Sequence, residues 1–462
     1  MSWFALSLFV AACGVPVLAA DRPNIVLIMT DDQGAWSLGC YGNPDAHTPT
    51  IDRLAAQGVR MTKAFATIPV CSPSRATYYT GRIPSQHGVH DWIKHENDGE
   101  RARYCIPNEM LLSYLLQKCG YTCGLSGKWH LGDNKAMPFS YDFWFVLPSG
   151  GSKYQDAPMY WEGKKVETKG YLTDRITDKA IEFLDLHGDK QFFLNVQYNA
   201  PHSPYDGHPQ ELLNLFKDCS FGQHPRLPDH PWKSTAFGIM KNNKALTAYY
   251  AMCAGVDRGV ARILKTLDER GLTDNTLVIY TSDQGYCCGH HGLWGKGNAS
   301  NPRNMYDTSM HVPMIIRHPG KLPAGRTTDA MFSAYDFLPT VLDYVGGHIP
   351  ENRNLAGRSF VAALKGEPFE APEAVFGEYG RARSIRTNQF KYIHRADGGP
   401  DELYDIVKDP DEANNLYSDP AYRARMFELR DRLFKWFVRY AEAGTDPVGN
   451  EYLPPKDRKL KP

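Results

Sequence analysis

The chain has 462 residues, too many for one small core, so one large domain with an appendage, or two to three domains, is expected. Apolar residues at 42%, aromatics at 12% and charged residues at 23%, without a low-complexity tract or sustained heptads, exclude a disordered, collagenous or coiled-coil chain. Lys plus Arg equal Asp plus Glu at 52 each, and without a basic stripe the sequence argues against a nucleic-acid binder.

The first charge is Asp21, and the stretch before it is short for a membrane span and closes on small residues. Residues 1–20 read as a secretory signal cleaved after Ala19 or Ala20. The usual positive start is missing, so the alternatives are a short anchor or a lipoprotein at Cys13, within Val10-Ala11-Ala12-Cys13. No later apolar run is long enough for a bilayer, and the expectation is an exported, periplasmic or extracellular protein without a stable membrane span. Nine cysteines remain after such cleavage, an odd number, so one is unpaired or chemically special, and pairing among the rest stays open.

Asn24 to Met29 is a buried strand that runs straight into Thr30-Asp31-Asp32-Gln33-Gly34. Helical patterns follow at Pro49 to Gly58 and Glu109 to Gly120, the second setting Met110, Leu111, Tyr114 and Leu115 at helical spacing. A weaker strand near Tyr121 ends at Gly127-Lys128-Trp129-His130, and one from Gln191 to Gln197 ends at Asn199-Ala200-Pro201-His202. Thr276 to Tyr280 repeats the acidic ending as Thr281-Ser282-Asp283-Gln284-Gly285. Such alternation predicts an α/β fold with a large, mostly parallel sheet flanked by helices. In such sheets ligands collect at the carboxyl ends of the strands, so four tips point to one site, although a single strand-end Asp or Gly is as readily a turn former.

From 368 the pattern changes. Ala374 to Tyr379, Arg383 to Arg386 and Phe390 to His394 are short strands, followed by Leu403-Tyr404-Asp405. Ala421 to Ala443 is a helix with Met426, Leu429, Leu433, Phe437 and Tyr440 on one stripe. The expected division is a large α/β domain over 21–367 and an α+β C-terminal subdomain over 368–462, carrying a short antiparallel sheet and that long helix.

No Walker loop, HExxH, G-x-S-x-G elbow or Rossmann glycine fingerprint is present. Cys71-Ser72-Pro73-Ser74-Arg75 stands out but is only suggestive alone. Read in order with Asp31-Asp32, Gly127-Lys128-Trp129-His130, Pro201-His202, Ser282-Asp283-Gln284-Gly285 and Gly292-Leu293-Trp294-Gly295-Lys296, the chain resembles the type I, formylglycine-dependent sulfatases of the alkaline phosphatase superfamily. Leu403-Tyr404-Asp405 and the stretch from Asp409-Pro410 to Leu416 are similar to that family's ending.

The resemblance implies an alkaline-phosphatase-like fold and oxidation of Cys71 to formylglycine by a separate maturation enzyme, leaving eight thiols. The hydrated aldehyde is a geminal diol: one hydroxyl attacks sulfur, and the second then loses a proton so that sulfate is expelled. Asp31, Asp32, Asp283, the Gln284 amide oxygen and an oxygen of residue 71 form an all-oxygen shell suited to a hard divalent cation, Ca2+ first and Mg2+ second. The family commonly has Asn where this chain has Gln284. By the same matching Arg75 holds the metal and formylglycine oxygens, and Lys128 and Lys296 bind sulfate oxygens. His130 assists the second deprotonation and His202 protonates the leaving oxygen, roles suited to an unperturbed pKa of about 6.5.

Against each assignment stands a plainer one: a buried structural Cys, capping Asp residues, surface Lys, core His. His290 and His291 are candidates for substrate contact or a zinc-like cluster, although their spacing fits no tight metal motif. His311 stands where the family often has a basic residue and is assigned nothing. His87, His90, Asp91, Trp92 and His95 form a polar-aromatic loop, and Trp36, Trp129 and Trp294 neighbour the site, which suits a sulfated carbohydrate substrate. The alternatives are a phosphonate or phosphate ester hydrolase of the same superfamily, or an inactive glycan-binding homologue. An intact Cys71 and Arg75 argue against the last.

Overall fold

The computed structural model describes residues 22–222, 224–234 and 243–449; the expected signal segment and Cys13 lie outside them. Ten strands form one sheet: β1 (Asn24–Thr30), β2 (Val59–Met61), β3 (Thr122–Gly127), β4 (Phe143–Val146), β5 (Pro158–Trp161), β6 (Lys164–Glu167), β7 (Phe192–Gln197), β8 (Thr276–Ser282), β9 (Met314–Arg317) and β10 (Arg326–Thr328). Their spatial order is β10-β2-β9-β8-β1-β7-β3-β4-β5-β6. The five central strands from β8 to β4 are parallel. Antiparallel pairing sets in outside them, at β9 on one side and at β5 and β6 on the other, so the sheet is mixed.

Strand alternation splits the core into two layers. Val26 and Ile28 face α1 (Pro49–Ala56), α4 (Leu172–His187) and α5 (Asn243–Glu269), while Ile25, Leu27 and Met29 face α2 (Cys71–Thr80) and α3 (Leu112–Lys118). β1 is buried on both faces, which is why it reads as an unbroken apolar run rather than an alternating one. No described helix is long and apolar enough to cross a membrane.

The C-terminal sheet, β11 (Ala374–Tyr379), β12 (Ala382–Thr387), β13 (Phe390–Arg395) and β14 (Glu402–Asp405), is antiparallel throughout. The helix α6 (Arg423–Tyr440) lays Met426, Leu429, Leu433 and Phe437 against Ile385, Tyr392 and Leu403. Other residues of the sheet, Val375, Tyr379, Ile393 and Tyr404, pack on Phe65, Ile68, Val70 and Leu293, which surround the start of α2. Buried charge fastens this junction: the Lys391 ammonium meets Asp307 Oδ1 and Glu412 Oε1, each at 2.8 Å, and Arg386 holds the other oxygen of Asp307 at 3.1 Å. All nine described cysteines are free thiols.

Candidate active site

Parallel pairing in register, Thr30 beside Ser282, brings the two acidic turns together. Backbone bonds then tie the tips: Asp283 N–H donates to Thr30 O, Asp31 N–H to Ala200 O, and Lys128 N–H to Gln197 O. Cys71 opens α2 at 3% exposure, pointing into this junction. Its thiol donates to Asp31 Oδ1 at 3.4 Å, and the Lys296 ammonium lies 2.7 Å from the sulfur. The helix N-terminus adds positive potential at the same point.

The site is a cluster of buried charges. Lys128 pairs with Asp31, Lys296 with Asp32 Oδ1 at 2.6 Å, and Arg75 with Asp283 Oδ2 at 2.9 Å. Asp31, Asp32 and Asp283 each place an oxygen within 4.8 Å of the others. Burial pushes Asp283 up to about 7, Asp31 adding to the rise against Arg75. Burial also opposes Asp31, but Lys128 leads the nearby cations that hold it well below the carboxylate range. Packed acids that resist ionising together are what a divalent cation relieves.

A cation fits this donor set. The Gln284 Nε2 stands 2.6 Å from Asp32 Oδ1 and 3.4 Å from Asp31 Oδ1, while its Oε1 is buried with no hydrogen-bond partner. The expected oxygen ligand therefore has its nitrogen toward the acids, because without a cation an amide N–H is the only end carboxylates attract. A half-turn of the amide exchanges the two ends. Among the described residues the acidic groups able to hold a metal share Asp31, which makes one cation position.

Arg75 takes Asp283 with its Nε and one terminal nitrogen, and the other terminal nitrogen donates to Lys128 O at 3.0 Å and Gln197 Oε1 at 2.7 Å, so it positions a carboxylate of the acidic cluster. Gln197 was not anticipated. Its signal is a polar residue closing a fully buried strand, a placement that demands a partner. Ser74, inside the motif, donates to Asp283 O.

His130 Nε2 faces the Ile93 carbonyl at 3.0 Å, so that nitrogen carries the hydrogen and the partnerless Nδ1 is left as an acceptor. Burial first, then Lys128, keeps the ring far below the usual histidine value and hence neutral. A β-carbon on Gly150 would stand 2.3 Å from this ring, so only glycine passes there. His202 turns Nδ1 to Ser203 O at 2.7 Å and Nε2 toward Asp32 at 3.8 Å. Burial pushes Cys71 up to about 12, Asp31 adding to the rise, so the unmodified thiol is protonated and a poor nucleophile.

Other candidates fall away. Trp129 is fully buried between Tyr79 and Tyr104 and is a core residue. Trp294 is buried too, its indole N–H donating to Tyr205 at 3.0 Å. Trp36 is half-buried and stacks on Tyr249. His291 stacks on Tyr306 at 3.9 Å, and His290 packs on Trp36 and His224. Neither joins a metal-competent group among the described residues. His311 packs on Phe65 and bonds Thr62 O, and His87 is a buried partner of Thr77.

Comparison with known proteins adds the following. A family model described as Sulfatase matches residues 23–347, and one described as N-sulphoglucosamine sulphohydrolase, C-terminal, matches residues 289–438. An N-acetylglucosamine-6-O-sulfatase of Bacteroides thetaiotaomicron is 30% identical, covering 99% of this chain and 93% of its own length. Human N-sulphoglucosamine sulphohydrolase is 28% identical over 91% of each chain. A solved structure bound to its substrate, D-glucosamine-2-N,6-O-disulfate, superposes with a TM-score of 0.79 at 28% identity, covering 92% of this chain and 99% of that one.

Proposed function

The chain belongs to the sulfatase family and is a sulfuric ester hydrolase, and on that premise we propose that it removes sulfate from a sulfated carbohydrate. Residue 71, as formylglycine, is the nucleophile, and Asp31, Asp32, Asp283 and Gln284 hold one divalent cation, Ca2+ before Mg2+. The observation that carries this reading is the approach of the Cys71 sulfur to Asp31 at 3.4 Å and Lys296 at 2.7 Å. Sulfated amino sugars are the first substrates to try, because the similar proteins named above act on them.

When oxidised and hydrated, residue 71 supplies a hydroxyl to attack sulfur and a second whose deprotonation releases sulfate; the cation supplies fixed positive charge to the sulfuryl oxygens. The remaining work falls to this chain's side chains. Lys128 and Lys296, both buried, bind sulfuryl oxygens. Enzymatic acceleration asks for roughly 8 to 23 kcal/mol and one such contact gives about 3 to 4, so several cations are needed. Neutral His130 accepts a proton at Nδ1. His202, opposite Asp32, gives its Nδ1 hydrogen to Ser203 O, so it donates to the leaving oxygen from Nε2 only once that nitrogen has itself been protonated. Arg75 and Gln197 keep Asp283 aimed.

Ser72, Pro73, Ser74 and Arg75 are all buried with Cys71, so the maturation enzyme acts on the chain before it folds. Export by the signal over 1–20, and a junction between catalytic and C-terminal parts at 367/368, complete this reading. The test is the mass of the peptide containing residue 71 after co-expression with a maturation enzyme, alongside sulfate release from sulfated saccharides. An aldehyde at residue 71 in the active fraction is expected. A fully active protein with an unmodified thiol there rules the nucleophile out.

A further inference from the structure

Resting on the proposed activity, the geometry points to a saccharide-reading rim of Trp92, Asp91 and Arg303. It takes the sugar ring and a second negatively charged substituent beside the sulfate being removed. The rim is stitched to the reacting groups. Ile93 N–H donates to Ser72 Oγ at 3.1 Å, one residue from the nucleophile, and Ile93 O accepts from His130 Nε2 at 3.0 Å. Trp92, the residue before it, is 40% exposed, unlike Trp129 and Trp144, which are wholly buried. The Lys94 ammonium lies 4.7 Å over one face of the indole, which leaves the other face to stack on a pyranose.

Asp91 and Arg303 stand beside it. Asp91 Oδ1 accepts from Tyr379 Oη at 2.8 Å and Oδ2 from Arg303 at 3.3 Å. The Arg303 guanidinium lies 5.2 Å over the Tyr379 ring, and that ring packs where a β-carbon on Gly297, next to Lys296, would sit. Three segments thus meet one contact away from Lys296: the loop after α2, the loop after Lys296, and the end of β11. The Arg303 and Asp91 side chains keep 38% and 45% of their surface in water, so their mutual pairing costs little to exchange for a ligand. A guanidinium forks onto a sulfate or carboxylate, and a carboxylate accepts sugar hydroxyls. Tyr379, buried, is a positioning residue that lets the C-terminal sheet set the direction of Asp91.

The experiment uses the mature, cation-loaded enzyme on monosulfated amino sugars and hexoses. Each is matched with a counterpart bearing a second sulfate, or linked to a uronate, so that the source of the second negative group is read separately. A small aryl sulfate is the rim-independent control. Arg303→Gln is expected to lower kcat/KM for the doubly anionic member about tenfold, through KM, and to spare its monosulfated partner. Trp92→Ala should raise KM for all saccharides by about the same factor at unchanged kcat. Unchanged preference in Arg303→Gln, or an equal fall on the aryl sulfate, overturns the rim. If the wild type cleaves only aryl sulfates, the carbohydrate reading fails on its own account, and calorimetric titration with the doubly sulfated sugar then decides the rim. Binding weakened by Arg303→Gln keeps the rim, and no binding to the wild type removes it.

Discussion

Two of the buried charge clusters in this molecule are built differently. At the C-terminal junction Asp307 and Glu412 converge on one ammonium, Lys391, so the meeting point of the acids is filled by the protein's own cation. At the strand tips Asp31, Asp32 and Asp283 each have a separate partner, and the group that touches both Asp31 and Asp32 between them is the neutral amide of Gln284. The titration pattern is otherwise alike. Burial pushes Glu412 up to about 7, with Asp307 adding to it against Lys391, just as burial and Asp31 raise Asp283. Asp307 is held far below its ordinary range by Lys391 and Arg386 despite burial. One cluster is closed and structural; the other is where the proposed cation would sit.

The comparison can be broken at several points, the largest first. Cys71→Ala should lower sulfate release on the order of 10^5-fold while leaving the melting temperature near that of the wild type. Comparable turnover would move the chemistry elsewhere. Chelation should cost on the order of a thousandfold in kcat/KM, restored by Ca2+, because Lewis-acid stabilisation contributes several kcal/mol. Activity that survives without divalent metal contradicts the carboxylate shell. Lys391→Met should do the reverse: about 3 to 5 kcal/mol of stability lost, read by denaturant titration, with kcat of the folded fraction nearly kept.

The smallest effect concerns pH. Asp283 and Glu412 titrate near 7 in the folded state against about 4 in the unfolded chain. Each therefore favours folding most below about pH 4, and that contribution is lost as pH rises through 7. In chelator these two acids should take stability away between about pH 4 and about pH 7, against the gain from buried neutral histidines such as His290 and His291, held at about 3, which must charge on unfolding at low pH. Read as differences between matched pH profiles, Ca2+ should remove the share due to Asp283 and Glu412→Gln its own, leaving that of Asp336, which burial also raises to about 7. A slope indifferent to Ca2+ separates the acids from cation binding.

Most of the site was legible because strand-end acids announce themselves twice, after β1 and after β8, in chains whose neighbours are apolar. Four of the five parallel central strands followed from the same runs, whereas β4 was not read from the sequence. What could not be read is direction. Nothing in the residue types says that Arg75 turns to Asp283 and Gln197, that Gln284 presents its nitrogen, or that Trp129 faces inward while Trp92 faces out. Side-chain aim depends on partners far away in the chain. The reversal of β9 was equally hidden, since an apolar run carries no mark of its sense.

The pairing of Thr30 with Ser282 has one more consequence. Had those two strands zipped one position out of step, one acidic pair would be carried about 3.3 Å along its neighbour and its side chains turned to the opposite face. The ion would then find no cage. If the proposed cation site holds, uptake of the ion would be a gauge of correct assembly, since a chain that takes it up must already have aligned its two halves.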